Sequence, residues 1–166
     1  MNDWLRLATG ERLRLAAEIG AELATLQPHT ARLQTFVLAG ETQEPDALAA
    51  AAVALHHAYC ALESIFERIA RTFEGGLQPS DRWHTRLLHS MFLNLDGLRP
   101  AVLPIELREP LSDLMGFRHF FRHAYSALWR TDRLLELAQL YLLTLPDVNQ
   151  ALQSFIRQLQ QPDTSE

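Results

Sequence analysis

The feature that most constrains the fold is one unbroken run of helical periodicity. Pro45 and Asp46 open it. Ala49, Val53, Leu55, Tyr59, Leu62, Ile65, Phe66, Ile69 and Phe73 then recur at three- and four-residue steps until Gly75-Gly76 stops it. The run is roughly 28 residues, a helix of about 40 Å at 1.5 Å per residue. Its alanines, Ala49 to Ala52, permit close approach of a neighbouring helix.

Similar periodicity covers most of the chain. Trp4, Leu5, Leu7, Leu13, Leu15, Ala16, Ile19, Leu23 and Leu26 read as an amphipathic helix that breaks at Pro28, followed by a second from Thr30 to Ala39 with Gly40 as its stop. Pro79-Ser80-Asp81 predicts a turn and an N-cap for a helix from Asp81 to Asn94. Asp96-Gly97 and the prolines at 100, 104 and 110 mark a loop with a short helical turn. A further helix, starting at Leu111 or Phe117, runs to Trp129. Another opens at Thr131-Asp132 and ends at Pro146, and a short one spans Asp147 to Gln160. No segment alternates with period two long enough to make a strand. The expected fold is all-α, an up-and-down bundle around two long helices with extra helices at the termini. It forms a single domain over 1–166, with N-terminal helices in 1–40, the bundle core in 41–160 and a polar tail in 161–166.

Composition narrows the function classes. Apolar residues make up 48%, enough for a packed core. A net charge of -5 argues against a protein that coats nucleic acid over its whole surface. Cys60 is the one cysteine, so an intrachain disulfide and a cysteine-based zinc site are excluded, and its apolar helical setting marks it as a core residue. The N-terminus carries Asp3, Arg6, Glu11 and Arg12 without the apolar run of a secretory signal. The run from Ala47 to Leu55 falls far short of the ~20 residues that span a bilayer. A soluble, cytoplasmic protein without a membrane partner is expected.

Against this background one segment carries chemistry: Arg118-His119-Phe120-Phe121-Arg122-His123-Ala124-Tyr125, an arginine, a histidine and a tyrosine spaced R-x4-H-x-Y. Histidine moves protons near neutral pH and arginine stabilises charge on phosphate, so the pair suffices for RNA cleavage without metal or cofactor. Four arginines (118, 122, 130 and 133) against the single acid Asp132 make the stretch from Gly116 to Arg133 locally basic. The competing structural reading is a helix with an aromatic core face of Phe117, Phe120, Phe121, Ala124 and Leu128 and a basic solvent face. On an ideal helix, positions five apart differ by ~140°. One regular helix therefore does not aim Arg118 and His123 at one point. Either the helix is distorted near Gly116, or two copies meet across a two-fold axis. Arg118, Arg122 and Tyr125 share a face, with His119 and His123 on the adjacent stripe.

These residues resemble those of the HepT-like ribonuclease toxins of the HEPN superfamily, whose motif is R-x4–6-H-x-Y. The resemblance extends to His56-His57-Ala58-Tyr59 and Leu62-Glu63-Ser64-Ile65-Phe66-Glu67-Arg68-Ile69-Ala70, similar to that family's long bundle helix, and to Trp83-His84-Thr85-Arg86-Leu87-Leu88. The residue after the motif arginine, often Asn or Asp in HEPN proteins, is His119 here. The resemblance implies an all-helical homodimer that cleaves RNA without metal, as the toxin of a type VII-like toxin–antitoxin system. Arg118 and His123 would be catalytic, and His119, Arg122 and Arg130 would support them or bind RNA. It also implies a cognate minimal nucleotidyltransferase antitoxin that adenylylates Tyr125.

Two other classes compete. A metal-binding bundle would use His56, His57, His84 and His89 with Glu63 and Glu67, although paired Glu-x-x-His motifs are absent. A non-catalytic helical module would bind RNA, nucleotide or a protein partner through the same surface.

Overall fold

The computed structural model describes residues 7–40, 44–78, 80–123 and 130–161. Among them it holds five α-helices: α1 (Thr9–Ala39), α2 (Pro45–Glu74), α3 (Trp83–Ser90), α4 (Arg108–His123) and α5 (Thr131–Leu159), with a 3-10 turn at Ile105–Leu107 before α4. The described residues form no strand beyond an isolated bridge between Leu95 and Arg99. The all-α bundle is as expected.

The α2 helix is the central element. Proline at its first position and left-handed Gly75 after its end give it the expected bounds. Leu55, Tyr59, Leu62, Ile65, Phe66 and Ile69 are buried along it. Length and composition alone would also let this helix cross a membrane. In the bundle it is enclosed by α1, α3, α4 and α5. The alanines at 51 and 52 are fully buried, as close helix packing requires.

The structure corrects the expected breaks at Pro28 and Pro146. Both prolines lie inside continuous helices, so the terminal regions form two long helices in place of four shorter ones. An interior proline costs roughly 3 kcal/mol because it removes one hydrogen bond and crowds the preceding turn. Packing on both sides offsets that cost. Leu33 and Phe36 are buried beyond Pro28, and Val148, Leu152 and Phe155 beyond Pro146. Pro28 and Ala24 are both exposed, so the carbonyl that loses its partner can meet water. The two helices are joined beside these prolines by a 2.9 Å hydrogen bond between the Thr30 and Tyr141 hydroxyls.

Other differences bear on the site. The α3 helix spans only Trp83–Ser90 and has Arg82, not Asp81, at its N-cap. The α4 helix begins at Arg108, with Pro110 in its first turn, where the missing N–H is tolerated. Arg99, 1% exposed, anchors the loop between α3 and α4. Its Nη2 donates to Glu74 Oε1 at 2.5 Å and to the Ser90 carbonyl at 2.9 Å, and its Nη1 donates to the Pro100 carbonyl at 3.2 Å. This tie fixes where α4 starts relative to the end of α2.

Candidate functional site

The α4 helix carries the arginine and histidine of the motif, while Tyr125 lies outside the described residues. The helix is continuous through Gly116, and no distortion there turns Arg118 toward His123. Phe117 is buried and Phe121 half-buried, but Phe120 is 51% exposed, so it does not belong to the core face expected of it. Ala124 and Leu128 fall outside the described residues.

Arg118 is only 9% exposed. It turns inward onto α2, away from the solvent face expected for it and from the exposed Arg122. Its Nε lies 2.9 Å from Glu63 Oε2, its Nη1 lies 3.3 Å from His84 Nε2, and His84 Nδ1 lies 2.6 Å from Glu63 Oε1. One tautomer of His84 fits both of its contacts, while Arg118 Nε meets Glu63 as an ion pair without hydrogen-bond alignment. In that tautomer His84 Nδ1 donates to Glu63 and Nε2 accepts from Arg118. The Glu63 carboxylate balances the guanidinium charge. Three elements thus hold the motif arginine: α2 through Glu63, α3 through His84, and α4 itself. A guanidinium clamped by two partners keeps one orientation, which is preorganisation.

The sequence carries a signal for a buried ion pair at Glu63. A carboxylate beside the apolar stripe of α2, four residues after buried Tyr59, needs a cation. Glu63 is 7% exposed. Cys60 sits one turn before it, half-buried and 3.6 Å from His56 Nε2, which places it at the edge of the core and not within it. Burial pushes the Cys60 thiol above its ordinary pKa, with Arg118 beside it pulling the other way. Burial, aided by the Glu63 charge, also keeps the Tyr59 hydroxyl strongly protonated.

His123 is the last described residue of α4 and is exposed. Its ring meets the exposed His119 edge-to-face at 4.5 Å between centroids, confirming the shared stripe. Arg118 on the α2 flank and His123 on the solvent flank do not converge within one chain. The basic stretch is also more neutralised than its composition suggests. Arg130 grips Asp132 through Nη2 at 2.6 Å and Nε at 3.3 Å, and Arg133 pairs with Glu136 at 2.9 Å. A cavity of about 430 Å³ opens on the α5 flank of α4, lined in part by Asp113, Phe117, Phe120, Arg130 and Leu134. Among the described residues no three His, Cys, Asp or Glu side chains converge in a way that could hold a metal ion.

No curated protein and no solved structure matches the chain. The family model described as HepT-like protein matches residues 50–159, from the sixth residue of α2 to the last of α5. That span holds the Glu63–His84–Arg118 ring and the R-x4-H-x-Y motif and covers well over half of the sequence, so the chain belongs to the HepT-like family.

Proposed function

We propose that this protein is a toxin ribonuclease that cleaves RNA without a metal ion, working in the cytoplasm. The carrying observation is an exposed motif histidine, His123, on the motif helix of a HepT-like chain, with a second imidazole, His119, against it. The RNA supplies its own nucleophile. The 2′-hydroxyl oxygen attacks the adjacent phosphorus while a histidine takes its proton. The bond from phosphorus to the 5′ oxygen then breaks, and that oxygen receives a proton. The products are a 2′,3′-cyclic phosphate and a 5′-hydroxyl end, and no water is consumed. His123 serves as general base or general acid, a role worth roughly 10²–10⁴-fold. Arg118, its charge balanced by Glu63, acts on the phosphorane as an oriented hydrogen-bond donor through the guanidinium N–H groups that Glu63 and His84 leave. Arg122, His119 and Arg130 support RNA binding.

The separation of Arg118 and His123 on one helix favours a homodimer in which two copies of α4 face each other and share a site. A minimal nucleotidyltransferase antitoxin would silence the toxin by adenylylating Tyr125, adding a bulky anion two residues from His123. Growth arrest on expression, lost in His123→Ala and relieved in a neutralised complex whose Tyr125 carries the adenylyl mass, tests both parts. Arrest that persists in His123→Ala rejects the ribonuclease mechanism, and neutralisation with an unmodified Tyr125 rejects the covalent switch.

The burial of Arg118 against Glu63 favours one competing reading, a non-catalytic module that binds RNA, nucleotide or a protein partner. In that case the arginine is a structural cation. RNA binding without cleavage by the wild-type protein would select it.

A further inference from the structure

Crossing the bundle surface beside the motif is a row of imidazoles that the proposed chemistry does not use. His56 and His57 are successive residues of α2, about 100° apart around its axis, so one faces α4 and the other α1. The His56 ring stacks on Phe121 of α4, with centroids 4.3 Å apart and planes 14° apart. His56 and His57 are 5.7 Å apart, and His57 meets His29 of α1 at 5.4 Å. Arg32 lies one turn beyond His29, and Arg122 lies beside Phe121. His57, Arg32 and Arg122 are exposed, and His29 and His56 are half-buried.

The electrostatics of this row are one-sided. The charges acting on His29 come from His57 and Arg32, and those on His56 from His57, Arg118 and Arg122. Of these, Arg118 is balanced by Glu63. A row of donors and cations crowded together, in a chain of net charge -5, is an arrangement that an anion relieves. Its course suits an extended polyanion better than a single ion, because the three imidazoles follow one another from α1 to α2 at spacings of 5.4 and 5.7 Å, and His56 stacks on α4 at the residue before Arg122. A positively charged track of this kind follows the backbone of single-stranded nucleic acid.

We propose that Arg32, His29, His57, His56 and Arg122 form a phosphate-binding track that leads single-stranded RNA across α1 and α2 to the motif on α4. This inference rests on the proposed reading that RNA is the substrate. Neutral imidazoles hold phosphate oxygens by N–H donation. A phosphate beside His29 and His56, which burial holds below the ordinary histidine value, favours their protonated forms, so binding takes up protons and tightens toward lower pH.

The test uses the intact chain and a single-stranded oligonucleotide whose 2′ oxygens are methylated, so that it binds without being cut. Binding is followed by fluorescence anisotropy across a salt series for the wild type, Arg32→Ala and His29→Gln/His56→Gln. Arg32→Ala is expected to weaken binding and lower the salt slope by about 0.7, the value for one single-strand phosphate contact. The histidine pair is expected to lose most of the tightening between neutral and mildly acidic pH. Both changes lie at exposed or half-buried positions, and unaltered thermal unfolding confirms that they fold. Wild-type affinity and slope in both variants overturn the track. Track-dependent binding by a wild type that cuts no unmethylated RNA overturns the ribonuclease reading and keeps the track. Absence of RNA binding by the wild type overturns both.

Discussion

Replacing Glu63 with leucine tests whether the ring around Arg118 is an energetic unit. Glu63 and Arg118 are 7% and 9% exposed, so the substitution leaves a guanidinium inside the bundle without its counter-charge. Breaking a buried pair from one side costs about 3–5 kcal/mol. His84 Nε2 still accepts from Nη1, and the arginine keeps a small exposed edge, which places the expectation near the lower end, about 3 kcal/mol. For a chain of this size each kcal/mol moves the melting temperature by about 2–4 °C, so Glu63→Leu should lower it by roughly 6–12 °C. Glu63→Gln, which keeps the volume and one acceptor, should cost less, about 1–3 kcal/mol. The decisive comparison is Glu63→Leu/Arg118→Met. With both charges gone the double variant should be more stable than Glu63→Leu alone, although it carries one more substitution. Urea unfolding of the wild type, Glu63→Leu, Arg118→Met and the double variant supplies the cycle. A Glu63→Leu protein within about 0.5 kcal/mol of wild type, or additive losses in the double variant, would refute the view that burial couples these residues.

Two further outcomes follow from the titrating groups. His29 and His56 are held below the ordinary histidine value, first by burial and then by the neighbouring cations, so the unfolded chain takes up their protons first as pH falls. Their contribution to stability is full above about pH 6.5 and is lost as pH falls through the lower folded values. Urea midpoints should decline on acidification from neutrality, more steeply in the wild type than in His29→Gln/His56→Gln. Equal slopes would contradict the assignment. Cys60, whose thiol burial pushes upward, should react with iodoacetamide at about pH 8 more slowly in the folded chain than in urea, and a folded-state rate equal to that of a free thiol would show that it is not held in this environment.

Much of the fold was legible because punctuation and periodicity agree. Pro45 and Gly75-Gly76 bound α2 where its apolar stripe begins and ends, and Gly97 turns the chain where Asp96-Gly97 signals it. The errors came where tertiary packing overrides a local signal. Pro28 and Pro146 read as ends because proline costs a helix locally, yet buried residues beyond each carry the helix on. Phe120 read as core by composition, but three residues after Phe117 it has moved round to the exposed side of α4. In the candidate site the sequence located the helix and the separation of Arg118 from His123. It did not reveal that Arg118 faces inward, because its partner His84 lies 34 residues away and Glu63 a further 21 before that. The local excess of arginine was misleading for the same reason: Glu63 and Glu136, outside the basic stretch, neutralise two of its members.

The central claim is that exposed His123 moves the proton in a cleavage that needs only RNA and this protein. The direct measurement is analysis of RNA ends after incubation in excess chelator with wild-type protein and with His123→Ala. The account predicts 2′,3′-cyclic phosphate and 5′-hydroxyl ends from the wild type and a loss of roughly 10²-fold or more in His123→Ala. Equal cleavage by the two proteins, or 5′-phosphate ends from the wild type, would contradict it.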